Sequence, residues 1–207
     1  MLVSELFEDR NHKTIAVLAG RFQPWHLGHK YGYDFLANKF GTNNTFVVTS
    51  DRTELPKSPF NFEQKRRFIA ATGVPTNNII KSTSPYRAAE LVQDFDPANT
   101  ILVFGVSAKD MAEDPRFSFA PKRDGSPSYF QPYDQNFGKL KTLDQHGYII
   151  TVPTMNFTVL NRNIKSASEI RQMYTAANEK QRKQIIIELF GKYTAALKQT
   201  MDQGLSQ

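Results

Sequence analysis

His26 and His29 stand three residues apart in the run Gly20-Arg21-Phe22-Gln23-Pro24-Trp25-His26-Leu27-Gly28-His29. At the start of a helix that spacing brings two side chains onto one face, and two imidazoles so placed form a pair of donors able to grip phosphate oxygens. Gly28 between them adds no Cβ, so a phosphate can approach the backbone there. The loop follows an apolar, β-branched run, Thr14-Ile15-Ala16-Val17-Leu18-Ala19, and precedes a helical pattern from Gly28 to Phe40. A loop between strand and helix is the setting in which helix N-terminal amides meet an anion. Alone, either histidine reads as a cap or packing residue, and Pro24-Trp25 as turn shaping. Strand, glycine, histidine pair and helix together point to phosphate chemistry.

The elements that must position this loop follow from periodicity and turn signals. Strands are expected at 14–19, 45–49, 100–104 and 147–152. Helices are expected at 28–40, at 61–71, at 85–95 with Ser84 as N-cap, and as a C-terminal pair over about 168–200 split near Asn178. Alternation of this kind predicts an α/β fold, a Rossmann-like parallel sheet with helices on both faces and a C-terminal helical segment, with ligands gathered beyond the carboxyl ends of the strands. One domain over 1–207 is expected, its core at about 14–175. A segment at about 113–136 breaks the rhythm with Pro115, Pro121, Pro127, Pro132 and Gly125. Leaving from the strand at 100–104, it is expected to cover an acceptor site, with Phe117, Tyr129 or Phe130 stacking on a planar ring and Lys122 and Arg123 meeting a phosphate; a contact in a homo-oligomer is the competing use.

Composition bounds the partners. With 40% hydrophobic and 22% charged residues, the 207-residue chain has the balance of a globular protein. A net charge of +6 suits nucleic acid or substrates with several phosphates. The basic residues are scattered, however, with short clusters at Lys65-Arg66-Arg67, Lys122-Arg123 and Arg182-Lys183, so nucleic acid is a poor candidate. The chain has no cysteine, which removes disulfides, thiolate metal sites and cysteine nucleophiles. The acidic start of Met1 to Arg10 is unlike a secretory signal, and the apolar runs are too short to span a bilayer, so a cytoplasmic, membrane-free protein is expected.

The run from Gly20 to His29 resembles the signature of the HxGH nucleotidylyltransferase superfamily. Its Arg21-Phe22-Gln23-Pro24 wording is closest to nicotinamide mononucleotide adenylyltransferases of archaeal type, since cytidylyltransferases usually carry Asp where Gln23 stands. Ile164-Lys165-Ser166-Ala167-Ser168-Glu169-Ile170-Arg171 is similar to the family's late Ser-x-x-x-Ile-Arg motif; Ser168 reads as the N-cap of the helix that follows, with hydroxyls and amides toward phosphate. Ser58 to Arg66 is similar to a Pro-Phe-x-x-x-x-Arg segment, without the family's usual wording, and Gly105 to Asp110 resembles, in altered order, a Gly-Ser-Asp-Lys region. The resemblance spans Ile15 to Tyr174 and leaves 113–136 unmatched.

The resemblance implies transfer of AMP from ATP to nicotinamide mononucleotide, with Mg2+ held mainly by substrate phosphates. His26, His29 and Arg171 would be catalytic. Gly20, Arg21, Phe22, Gln23, Gly28, Ser166, Ser168 and Ile170 would bind nucleotide, and Arg66, Gly105, Lys109, Asp110, Lys122 and Arg123 would contact nucleotide or acceptor. Another phosphorylated acceptor (phosphopantetheine, a sugar or polyol phosphate, a flavin precursor) fits the same chemistry. A class I aminoacyl-tRNA synthetase fragment shares the loop, but the chain lacks a Lys-Met-Ser-Lys-Ser-like string. A non-catalytic nucleotide sensor is the rival of another class.

Overall fold

Along the first strand, β1 (Lys13–Ala19), Ile15 and Val17 join one apolar cluster and Ala16 and Leu18 another. All four are buried. A strand apolar on both sides is the mark of a central position in a parallel sheet covered on both faces. The computed structural model describes residues 12–113, 117, 119–133 and 140–206; the chain start read above, Met1 to Arg10, lies outside them, as do 114–116, 118 and 134–136 of the expected insertion.

The further strands of the main sheet are β2 (Thr45–Thr49), β3 (Ile79–Lys81), β4 (Thr100–Ser107), β5 (Phe130–Pro132) and β6 (Gly147–Val152). They lie in the order β3-β2-β1-β4-β6-β5, every pairing parallel. The chain steps outward from β1 to β2 and β3, then returns to lay β4 on the other side of β1. That reversal opens a crevice beyond the carboxyl ends of β1 and β4, where open α/β sheets bind ligands. A two-strand hairpin, β7 (Thr158–Val159) with β8 (Arg162–Asn163), follows β6.

On the face of Ala16 and Leu18 lie α1 (Leu27–Phe40), α2 (Phe62–Ala71), α5 (Ala167–Ala176), α6 (Glu179–Phe190) and α7 (Ala195–Leu205), which share a cluster including Leu36, Phe68, Ile170, Leu189 and Met201. The opposite face carries α3 (Ala89–Val92), α4 (Ala108–Glu113) and aromatic cover from Phe117 and Phe130. The α/β expectation therefore holds, with helices distributed unequally between the faces. Among the described residues, no helix is long and apolar enough to cross a membrane.

Three expectations need correction. The helix at 85–95 shrinks to Ala89–Val92: Arg87 and Ala88 amides close one turn on the Ser84 carbonyl, and Ala88, fully buried, takes a left-handed φ of 49° that ends that turn. The C-terminal pair is a trio, because Gly191 at φ 77° stops α6 and Thr194 caps α7. Short strands β3 and β5 were absent from the sequence reading.

Candidate active site

A cleft of about 610 Å³ sits at the β1–β4 crevice, between the N-termini of α1 and α5, a size suited to a small-molecule ligand. Gly20, Arg21, Phe22, His26, Gly28 and His29 line one side, Ser107, Lys109 and Asp110 follow β4, and Pro153 to Met155 with Lys165 and Ser166 close the other.

The loop after β1 is fixed by contacts that use most of its polar atoms. His26 is the N-cap of α1, an unusual cap, with Nδ1 accepting from the Gly28 amide at 3.1 Å. The His29 and Lys30 amides donate to the His26 carbonyl. The α1 terminus therefore offers few amides to an anion. A Cβ on Gly28 would lie 2.8 Å from His26 Cε1, so the missing side chain makes room for the imidazole, and Gly28 itself lines the cleft. Similarly, a Cβ on Gly20 would meet the Phe22 ring at 2.7 Å, and one on Gly105 would meet Leu36 and Val152 at 2.7 Å, so Gly105 serves sheet-to-helix packing at the cleft floor.

The two imidazoles face each other with centroids 3.9 Å apart. Phe22 and Trp25 pack on His29 at 5.0 and 5.4 Å, and Phe157 stacks on His26 at 4.5 Å with 12° between planes. Burial, and for His26 also the neighbouring imidazole, hold both groups below the ordinary range, His26 well below and His29 at about 4. Both rings are thus neutral at pH 7. With Nδ1 of His26 accepting a hydrogen bond, its proton is assigned to Nε2. His29 Nδ1 is buried with no hydrogen-bond partner.

Gln23 takes a different place from the one expected. Its side chain is buried and brackets the Phe60 backbone, Nε2 donating to the Phe60 carbonyl and Oε1 accepting from the Phe60 amide, both at 2.9 Å. Arg171 also serves the loop, donating to the Gln23 carbonyl at 2.8 Å, and it stands outside the cleft lining. Burial and the like charge of nearby Arg21 lower its pKa.

On the far wall the α5 cap is Ser166, which corrects the assignment to Ser168: its Oγ accepts from the Glu169 amide, and the Glu169 carboxylate accepts from the Lys165 amide at 3.1 Å. Ser168 is exposed outside the cleft lining, and Ile170 lies fully buried in the main core, so its side chain touches no ligand. Asp110 lines the cleft and accepts from Ser107 Oγ at 2.8 Å, with Lys109 beside it.

Several other expected contacts lie elsewhere. Arg66 pairs with Glu63 at 3.6 Å on α2, away from the cleft. Its neighbour Lys65, fully buried and pushed down to about 8 by that burial, donates to the Ser50 carbonyl at the end of β2. Lys122 and Arg123 occupy an exposed turn closed on Gly125, outside the lining. Phe130 packs on Phe104 and Phe117, and Tyr129 donates to the Leu143 carbonyl, so both are structural cover; Phe117, mostly buried, still reaches the cleft. Phe157 and the wall from Pro153 to Met155 escaped the sequence reading, since no motif marks them.

The fold and crevice define a doubly wound α/β protein with an anion-suited cleft. No protein-family model matches the chain, and no curated protein matches it in sequence. Among solved structures it is similar to Plasmodium falciparum nicotinic acid mononucleotide adenylyltransferase complexed with NaAD, at a TM-score of 0.49 and 18% identity over 94% of this chain and 96% of that one. It is also similar to a bifunctional NMN adenylyltransferase/ADP ribose pyrophosphatase from Francisella tularensis complexed with AMP and Mn ion, at 0.48 and 15% over 94% of this chain and 52% of that one. The chain spans about half the length of that bifunctional protein.

Proposed function

We propose that the protein is a nucleotidyltransferase that moves AMP from ATP to nicotinamide mononucleotide, giving NAD and pyrophosphate. The observation that carries the transfer reading is the pair of facing, neutral imidazoles at the head of α1, inside a cleft whose opposite wall is a second helix N-terminus. An acceptor phosphate oxygen attacks the α-phosphorus, the bond from that phosphorus to the bridging oxygen of the β-phosphate breaks, and pyrophosphate leaves. A phosphate nucleophile is already ionised near pH 7, so no general base is required, and catalysis consists of positioning and charge stabilisation. His26 Nε2–H and the His29 ring donate to the triphosphate as charge moves onto the leaving group. Arg21 at the cleft mouth, with Arg171 behind it, supplies positive potential.

Among the described residues no group of three His, Asp or Glu stands ready for a metal, and Asp110 is the one carboxylate of the cleft lining. That donor set fits a magnesium ion held by substrate phosphates, with Asp110 the residue able to add a ligand; when bound, the ion neutralises phosphate charge.

The choice of nicotinamide mononucleotide rests on the Arg21-Phe22-Gln23-Pro24 wording; the same cleft chemistry serves another phosphorylated acceptor. Purified protein offered ATP or CTP with Mg2+ and a panel of acceptors is expected to release pyrophosphate with ATP and nicotinamide mononucleotide. Release with CTP alone, or with a different acceptor alone, would move the substrate assignment, and no release with any pair would overturn the transfer reading.

A further inference from the structure

His26 has two orientational freedoms that matter to a donor: which nitrogen faces the cleft, and the plane in which the ring lies. The Gly28 amide settles the first by donating to Nδ1. Phe157 bears on the second, being stacked on the imidazole at 4.5 Å and nearly parallel to it. The phenylalanine is itself firmly held. It is 7% exposed, within the main core, and its carbonyl accepts from the Ile164 amide at 2.8 Å, closing the β7–β8 hairpin behind it. Val159 of that hairpin is fully buried, and the Leu160 amide donates to the Glu188 carboxylate of α6 at 2.8 Å. The hairpin tip carries Leu160 at φ 48° and Asn161 at φ 60°. Two-residue turns of this hand favour glycine or asparagine, and a leucine there is strained. Strain kept by surrounding contacts is a pointer to function: the turn holds Leu160 in a conformation it does not prefer, and the hairpin it closes is bonded to Phe157 through the Ile164 amide.

We propose that Phe157 is a positioning residue, which fixes the plane of the His26 imidazole so that its Nε2–H meets the triphosphate, with the Glu188-anchored hairpin as its mount. The purpose assigned to His26 rests on the transfer reading above; the manner in which the ring is held does not.

The test compares Phe157→Leu, which keeps apolar bulk and loses the stack, with Phe157→Tyr, which keeps the stack. In the free protein, long-range 1H–15N correlation spectra report the His26 tautomer and its line widths. Wild type and Phe157→Tyr are expected to show sharp His26 ring signals of the Nε2–H form, and Phe157→Leu the same tautomer with shifted and broadened ring signals, with all three melting as folded proteins. In pyrophosphate release, Phe157→Leu is expected to lose about tenfold or more in kcat with the KM for ATP little changed, as misplacement of a catalytic group predicts, and Phe157→Tyr to recover most of it. Unchanged His26 spectra and kcat in Phe157→Leu would overturn the proposal. So would equal losses in the leucine and tyrosine variants, which would make Phe157 simple core packing. If wild type releases no pyrophosphate, the transfer reading fails and the spectra alone decide how His26 is held.

Discussion

Two helix N-termini face one cleft and are finished in opposite ways. At α1 the cap is an imidazole: His26 takes the Gly28 amide on Nδ1 and leaves Nε2 for the cleft, with His29 3.9 Å away. At α5 the cap is the hydroxyl of Ser166, supported by the Glu169 carboxylate on the Lys165 amide. At the first terminus the Gly28 and His29 amides turn onto His26 itself; at the second the Glu169 amide turns onto the Ser166 hydroxyl, and the Lys165 amide ahead of the cap holds the Glu169 carboxylate beside it. A helix N-terminus is thus not an anion site by geometry alone. What caps it decides what it offers, and the proposed function places the chemistry on the α1 wall.

The comparison breaks first at the histidines. His26→Ala and His29→Ala are each expected to lower kcat for pyrophosphate release by on the order of 10²–10³, the scale of one lost transition-state donor. His26→Ala should also cost about 1 kcal/mol of stability as an N-cap, read by chemical denaturation. Near-wild-type turnover in both variants would transfer the chemistry to the other wall. Gly28→Ala comes next: alanine suits a helix, so the melting temperature should hold, while the added methyl displaces the His26 ring and reduces kcat by about tenfold or more.

Acid sharpens the contrast through stability. His29 is held at about 4 against an ordinary 6.5, so between these values the unfolded chain binds the proton that the folded chain refuses. Stability from this group is complete above pH 6.5 and is lost as pH falls from there toward 4. Denaturation midpoints of wild type should drop between pH 7 and 4.5, and His29→Leu should flatten part of that fall; parallel curves would contradict a neutral, buried His29. The smallest effect belongs to α5. Glu169→Gln keeps a side-chain oxygen for the Lys165 amide and removes the charge, and should lower the KM for ATP by about two- to fivefold, matching 0.3–1 kcal/mol of terminus electrostatics. A raised KM would show that the carboxylate assists binding.

The contrast also marks what the sequence could disclose. The juxtaposition of His26 and His29 at the head of α1 was legible because it is local: a strand, a glycine, two histidines and a helix within a short stretch. Gln23 lies in the same string but was misassigned, because its partner is the backbone of Phe60, 37 positions away, and no pattern in either segment announces the bracket. Phe157 was invisible for the same reason, since its stack on His26 exists only once the β7–β8 hairpin folds back. Ser168 was read as the α5 cap, but Ser166 carries the same hydroxyl two positions earlier, and the observed register of α5 makes Ser166 the cap. The aromatics at 113–136 were read as stacking platforms, yet Phe130 and Tyr129 are cover for a sheet face that has little helix of its own, a use that large apolar side chains serve wherever surface must be buried. The break between α6 and α7 was written plainly, as Gly191 followed by Thr194, a helix stop and a helix start that the reading passed over.

The central claim, that the α1 imidazoles serve AMP transfer, is tested most directly by 31P NMR of the protein with ATP, Mg2+ and nicotinamide mononucleotide. The account predicts that the triphosphate resonances give way to pyrophosphate and to the paired diphosphate signals of a dinucleotide, and that a folded His26→Ala, His29→Ala double variant leaves ATP intact over the same period. ATP untouched by the wild-type protein, or consumed equally fast by the double variant, would contradict it.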